Sequence, residues 1–150
     1  MRIILQRVTH AEVRIEGKVT GQIKKGLLVL VGFEAEDTDE DFGWMAKKIK
    51  QLRVFTDENN IMNWDVEQVD GELLIVSQFT LHASTKKGNR PSYILASKPE
   101  LAKQQYEKFL EIMQANFSKP LQTGVFGADM KVELLNDGPV TIFIDSKNKI

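Results

Sequence analysis

Gly26-Leu27-Leu28-Val29-Leu30-Val31-Gly32 holds five consecutive apolar residues between two glycines, with no polar side chain among them. A half-buried strand alternates apolar and polar residues, and an amphipathic helix keeps a polar flank. An unbroken run of this length therefore reads as a strand covered on both faces. Such a strand belongs in the middle of a sheet, and the rest of the chain must cover it.

Upstream, Ile3, Leu5, Ala11, Val13, Ile15, Val19 and Ile23 alternate with polar residues around Glu16-Gly17-Lys18, the pattern of a β-hairpin. Downstream, Asp37 and Thr38 offer N-cap side chains with Glu40 and Asp41 three residues on, as in a capping box. Phe42, Met45, Ala46, Ile49 and Leu52 keep helical spacing, which predicts an amphipathic helix of about 14–16 residues. Arg53-Val54-Phe55 reads as a short strand and Asp57 to Asn60 as a loop, and Trp64 reads as closing the edge of a core. Further on, Ser97 with Glu100 reads as a second capping box, and Pro99 fits a first helical turn. The apolar face from Ala102 through Tyr106, Phe109 and Met113 to Phe117 predicts a second helix ending by Lys119-Pro120.

Two more apolar runs lead into polar stretches. Leu73-Leu74-Ile75-Val76 runs into Ser77-Gln78-Phe79-Thr80, and Val132 to Leu135 runs into Asn136-Asp137-Gly138-Pro139-Val140-Thr141. A rigid sheet holds polar groups in fixed positions at its strand ends, so both are candidate sites. If the first strand continues, Gln78 and Thr80 share one face and Ser77 and Phe79 the other. Locally, Asn136 to Pro139 is a hairpin connection between strands Lys131–Leu135 and Val140–Asp145. Seven strands or so and two main helices make a mixed α/β single domain spanning residues 1–150. Its sheet is expected to be layered or a partly open barrel with the helices on one side, and residues 146–150 are expected to be a loosely held tail.

The 20 basic and 21 acidic residues leave a net charge of -1, so no global field draws the chain to nucleic acid, and a polyanion needs a local patch. The loop Ser84 to Ser92 supplies one candidate, Lys86, Lys87 and Arg90 among small hydroxyl residues and glycine. With no cysteine, disulfides and thiol chemistry are excluded. His10 and His82 are too isolated to suggest a metal centre. The opening apolar run is too short for a signal core, and no run reaches membrane-spanning length, which reads as cytoplasmic with no membrane partner. His82 follows Thr80 by two residues, so a Thr–His nucleophile pair is conceivable. Backbone amides near Phe79 and Thr80 are the stronger catalytic resource, as stabilisers of an oxyanion. Two glycines flanking Phe126 would let backbone approach a ligand, or let the chain bend.

Gln6-Arg7-Val8, Met62-Asn63, Ser77 to Leu81, Gly88-x-Arg90-Pro91-Ser92, Thr123-Gly124-x-Phe126-x-Ala128-x-Met130 and Asn136 to Thr141 stand in one register from residue 1 to about residue 144. In their conjunction the chain resembles the D-aminoacyl-tRNA deacylases. The resemblance implies a homodimeric esterase without metal or cofactor. It would release D-amino acids, and glycine, from aminoacyl-tRNA, with no DNA partner. It implies a cis Gly138-Pro139 bond whose loop enters the partner's pocket and excludes L side chains, with Arg7 fixing that loop. It assigns the pocket motif to Ser77, Gln78, Phe79 and Thr80, with Thr80 as nucleophile or as a positioner for the ribose 2′-hydroxyl. Asn63, Phe126 and Met130 join the substrate site, the last two near the terminal adenosine. His82 lies outside the pattern. A non-catalytic nucleic-acid-binding dimer, and an amidase with a Thr80 nucleophile, are the competing readings.

Overall fold

A computed structural model describes the protein from Met1 to Ile150. The central run forms β3 (Gly26–Gly32), buried along almost its whole length. β1 (Arg2–Ile15) lies antiparallel on one side of it, and β6 (Glu72–Ser77) lies parallel on the other. β2 (Lys18–Ile23) makes the expected hairpin with the far half of β1, and β7 (Gln122–Thr123) pairs parallel with β6. The path β2-β1-β3-β6-β7 curls so that Gly21 of β2 stands against Thr123 of β7. The sheet is thus a mixed, nearly closed barrel. β4 (Phe55–Thr56) and β5 (Met62–Trp64) form a separate small ribbon.

Period-two alternation sorts β3 and β6 onto two cores. Leu27, Val29, Val31, Leu73 and Ile75 face α1 (Asp39–Gln51) and α2 (Pro99–Asn116) in a cluster of 20 buried residues, with Trp64 packed at its margin. Leu28, Leu74 and Val76 face the other way and meet Val8, Val13 and Ile23 inside the curl. Both helices cover one side, as expected. α1 starts on Thr38, whose N–H donates to the Asp41 carboxylate at 2.9 Å. The second expected capping box does not form. Lys98 is the N-cap of α2, and Ser97 is buried with its hydroxyl on Gln105 at 2.7 Å, because a buried hydroxyl needs a partner more than an exposed helix end does.

The expected final hairpin is absent. Residues 131–145 form one long strand, β8 (Lys131–Asp145), and both of its halves pair with β1. Lys131 to Asn136 run along Arg14 to Val8, and Thr141 to Asp145 run along Gln6 to Arg2. Between them the stretch Asp137 to Val140 is an excursion opposite Arg7. The turn composition does mark a break in the ladder, but the partner of each flank is β1. In the tail, Lys147 to Ile150 are exposed, and a few contacts tie it to the body. Ser146 is buried, its N–H donating to the Met1 carbonyl at 2.9 Å, while Lys147 pairs with Asp41 and Lys149 lies 4.6 Å from the Trp44 ring. No helix is long and apolar enough to cross a membrane.

Candidate active site

β6 stops at Ser77, and Gln78 turns the chain (φ -148°, ψ 82°) into a single 3-10 turn, Phe79–His82. The backbone N–H of Gln78 donates to the Val31 carbonyl at 2.7 Å, so this turn hangs directly from the central strand. The strand does not continue, and the alternation argument for Gln78 and Thr80 fails with it. Their side chains meet all the same, the Gln78 amide donating to the Thr80 hydroxyl. That bond occupies the hydroxyl oxygen and leaves its hydrogen free to donate.

His82 is not the half-exposed residue a strand end would make it. It is 1% exposed, and neither ring nitrogen has a hydrogen-bond partner. Burial, first of all, pulls its pKa below the ordinary histidine value. With Thr80 bonded to Gln78, no Thr–His pair exists.

The turn opens onto a cavity of about 770 Å³. Val76 and Val132 join it to the inner core, and Ser77, Gln78 and Phe79 line it together with a wall made by Phe126 and Met130. Gly124 permits that wall, since a Cβ there would come within 2.4 Å of the Met130 sulfur. Phe126 is backed by Tyr106 at 5.9 Å between ring centres, and the Tyr106 hydroxyl donates to the Ile75 carbonyl at 2.8 Å. Sequence reasoning missed Tyr93, Ile94 and Lys98, which also line the cavity. No periodic pattern marks them, and only their proximity to the 84–92 loop could have drawn attention.

The other predicted residues lie elsewhere in the chain. The Gly138–Pro139 peptide is cis, Gly138 has φ +124°, and neither residue lines the cavity. Arg7, nearly buried, holds this excursion. Its Nε donates to the Asp137 carbonyl at 3.1 Å and Nη1 to the Val54 carbonyl at 2.6 Å. Asn136 closes the base of the excursion, its amide donating at 3.0 Å to the carbonyls of both Arg7 and Val140. Asn63 is exposed on β5 and accepts from Arg53 at 3.1 Å. Lys86, Lys87 and Arg90 are exposed on a lobe closed by the reciprocal backbone bonds of Ser84 and Ser92, at 2.8 and 2.9 Å. None of the three forms an ion pair.

Known proteins match this architecture along its length. A protein called D-aminoacyl-tRNA deacylase from Parabacteroides distasonis is 62% identical over 149 residues, covering 99% of each chain. The solved structure of a c-Myc DNA Unwinding Element Binding Protein superposes with a TM-score of 0.92 at 40% identity, over 97% of this chain and 98% of its own. A second solved structure, of a probable eukaryotic D-amino acid tRNA deacylase, shares the fold with a TM-score of 0.79 at 16% identity, covering 95% and 97%. The family model for D-Tyr-tRNA(Tyr) deacylase matches residues 4–145, and the chain belongs to that family.

Proposed function

We propose that the protein hydrolyses the ester bond of D-aminoacyl-tRNA in the cytoplasm, freeing the D-amino acid and the tRNA, and that it also clears glycyl-tRNA. The observation that carries this reading is a largely apolar cavity lined by Ser77, Gln78 and Phe79 and walled by Phe126 and Met130, with Thr80, itself outside the lining, tied to it through the Gln78 amide. An aromatic base fits such a wall, and an ester carbonyl would lie beside the 3-10 turn. The N–H groups of Phe79 and Thr80 stand in the first turn, where a helix offers its amides no internal partner. They are suited to stabilising the oxyanion of a tetrahedral intermediate. Thr80 lacks a base within reach but keeps a hydrogen to donate, so it positions the substrate, and the ribose 2′-hydroxyl assists the attack.

Chirality is assigned to Gly138 and Pro139. A hydrolase that accepts many side chains of one hand must reject the other by a clash. The loop is exposed and lies outside its own chain's cavity, which suits entry into the cavity of a second copy in a homodimer. Arg7 and Asn136 hold it from behind, and Asn63 is assigned to substrate binding. Lys86, Lys87 and Arg90 meet tRNA phosphates.

The test is hydrolysis of matched D- and L-aminoacyl-tRNA by chelator-treated protein. Cleavage of the D form alone is the expected result. A second reading, a nucleic-acid-binding dimer without catalysis, is favoured by the DNA binding that the name of the 40% identical relative describes. Tight, salt-sensitive binding of ordinary RNA or DNA with no cleavage of either ester would establish it instead.

A further inference from the structure

Phe79 and Tyr93 meet edge to face at the cavity mouth, 5.0 Å between ring centres at 70°, yet they remain 54% and 41% exposed. Ile94, beside them, is 87% exposed. Exposed apolar side chains gathered at one mouth, rather than scattered singly, mark a contact. Lys98 lines the same cavity, is exposed and enters no ion pair. The lobe that delivers Tyr93 to the mouth carries the free cations Lys86, Lys87 and Arg90. The one acidic side chain in the lining, Asp129, is already paired with Lys131 at 3.1 Å. Aromatic faces flanked by unneutralised cations are complementary to single-stranded nucleic acid, whose bases stack and whose phosphates are anionic.

We propose that Phe79, Tyr93 and Lys98 form a second subsite at the mouth of this cavity, beside the Phe126 and Met130 wall assigned to the adenosine, which takes the preceding unpaired nucleotide of an RNA 3′ end. The base lies on the aromatic pair, and its phosphate faces Lys98 and the lobe. This deepens the deacylase reading and rests on it. Stacking tolerates any base, which suits an enzyme that serves many tRNAs.

The test compares two substrates, a D-aminoacyl ester of adenosine and the same ester on a short RNA ending in three unpaired nucleotides. Wild type should prefer the longer substrate in kcat/KM. Tyr93→Leu should narrow that preference about tenfold, the loss of one stacked base, and Tyr93→Phe should restore it. Lys98→Gln should flatten the salt dependence on the longer substrate by about 0.7 in logarithmic slope. An unchanged preference ratio in Tyr93→Leu overturns the subsite while leaving the deacylase reading intact. A Tyr93→Leu protein that alters self-association in sedimentation, with the ratio unchanged, assigns this face to a second copy and also overturns it. Failure of wild type to cleave either ester overturns both readings.

Discussion

An imidazole buried with both nitrogens unbonded has only one comfortable state, the neutral one, and His82 is in that position as the last residue of the turn that carries Thr80. Burial lowers its pKa first of all, the Arg2 and Met1 cations push the same way, and the Gly32 backbone and Glu34, which favour the charged ring, are outweighed. The sign follows from linkage. Below the unfolded value of ~6.5 the unfolded chain binds a proton that the folded chain resists, so His82 makes the fold lose stability as pH falls through that value. The carboxylates held low, Asp41, Glu67 and Asp145, act in the same direction but at more acid pH. Urea denaturation at pH 7.5 and 5.5 should therefore show a stability loss in wild type that is smaller in His82→Leu. Equal losses would remove His82 from the account. In the sequence His82 looks like a partner for Thr80, because a strand places residues two apart on one face. The 3-10 turn changes that geometry, and nothing in Phe79-Thr80-Leu81-His82 announces it.

β8 shows what local composition can and cannot say. Asn-Asp-Gly-Pro tells of a break in a strand, and a break is there. A hairpin, however, needs its two flanks to pair with each other, and both flanks find β1 instead. That choice depends on residues more than a hundred positions away, beyond the reach of any turn rule. Asn136 takes over the hydrogen bonding that the excursion interrupts. Asn136→Ala leaves the Arg7 and Val140 carbonyls without their donor, which should cost about 1–3 kcal/mol in urea denaturation. On the deacylase reading, the same variant should cleave L-aminoacyl-tRNA faster relative to the D form as the loop loosens. Stability within a few tenths of wild type would show that the amide bonds are dispensable.

For the molecule as a whole, the apolar runs and the helical faces are legible in the sequence, and they deliver a mixed α/β sheet with its helices on one side. The strand order is not, since it is set where distant strands meet. The barrel's seam is one such place. Gly21 sits where β2 comes against β7, and a Cβ there would stand 2.3 Å from the Thr123 carbonyl oxygen. Backbone on both sides cannot yield as a flexible side chain would, so Gly21→Ala must part the seam, at a cost of about 1–3 kcal/mol. A thermal midpoint lowered by several degrees is the expected outcome. An unchanged midpoint would mean that the curl has slack. The cavity draws on both kinds of information. Ser77 to Thr80 stand out at the end of an apolar run, whereas Tyr93 and Lys98 become members only because the fold brings their segment back to the same mouth.

The pairing of β1 with β8 also has a consequence in time. On a ribosome β1 is among the first segments made, and β3 reaches it after one short hairpin. β8 is the last strand to appear, and at ~5–20 residues per second it follows on the order of ten seconds later. Through that interval the opening strand keeps one edge bare, and the pairing that covers it is of the long-range kind that closes slowly. A chain released before Asp145 is therefore missing more than its end. It is missing half the partner of its own beginning.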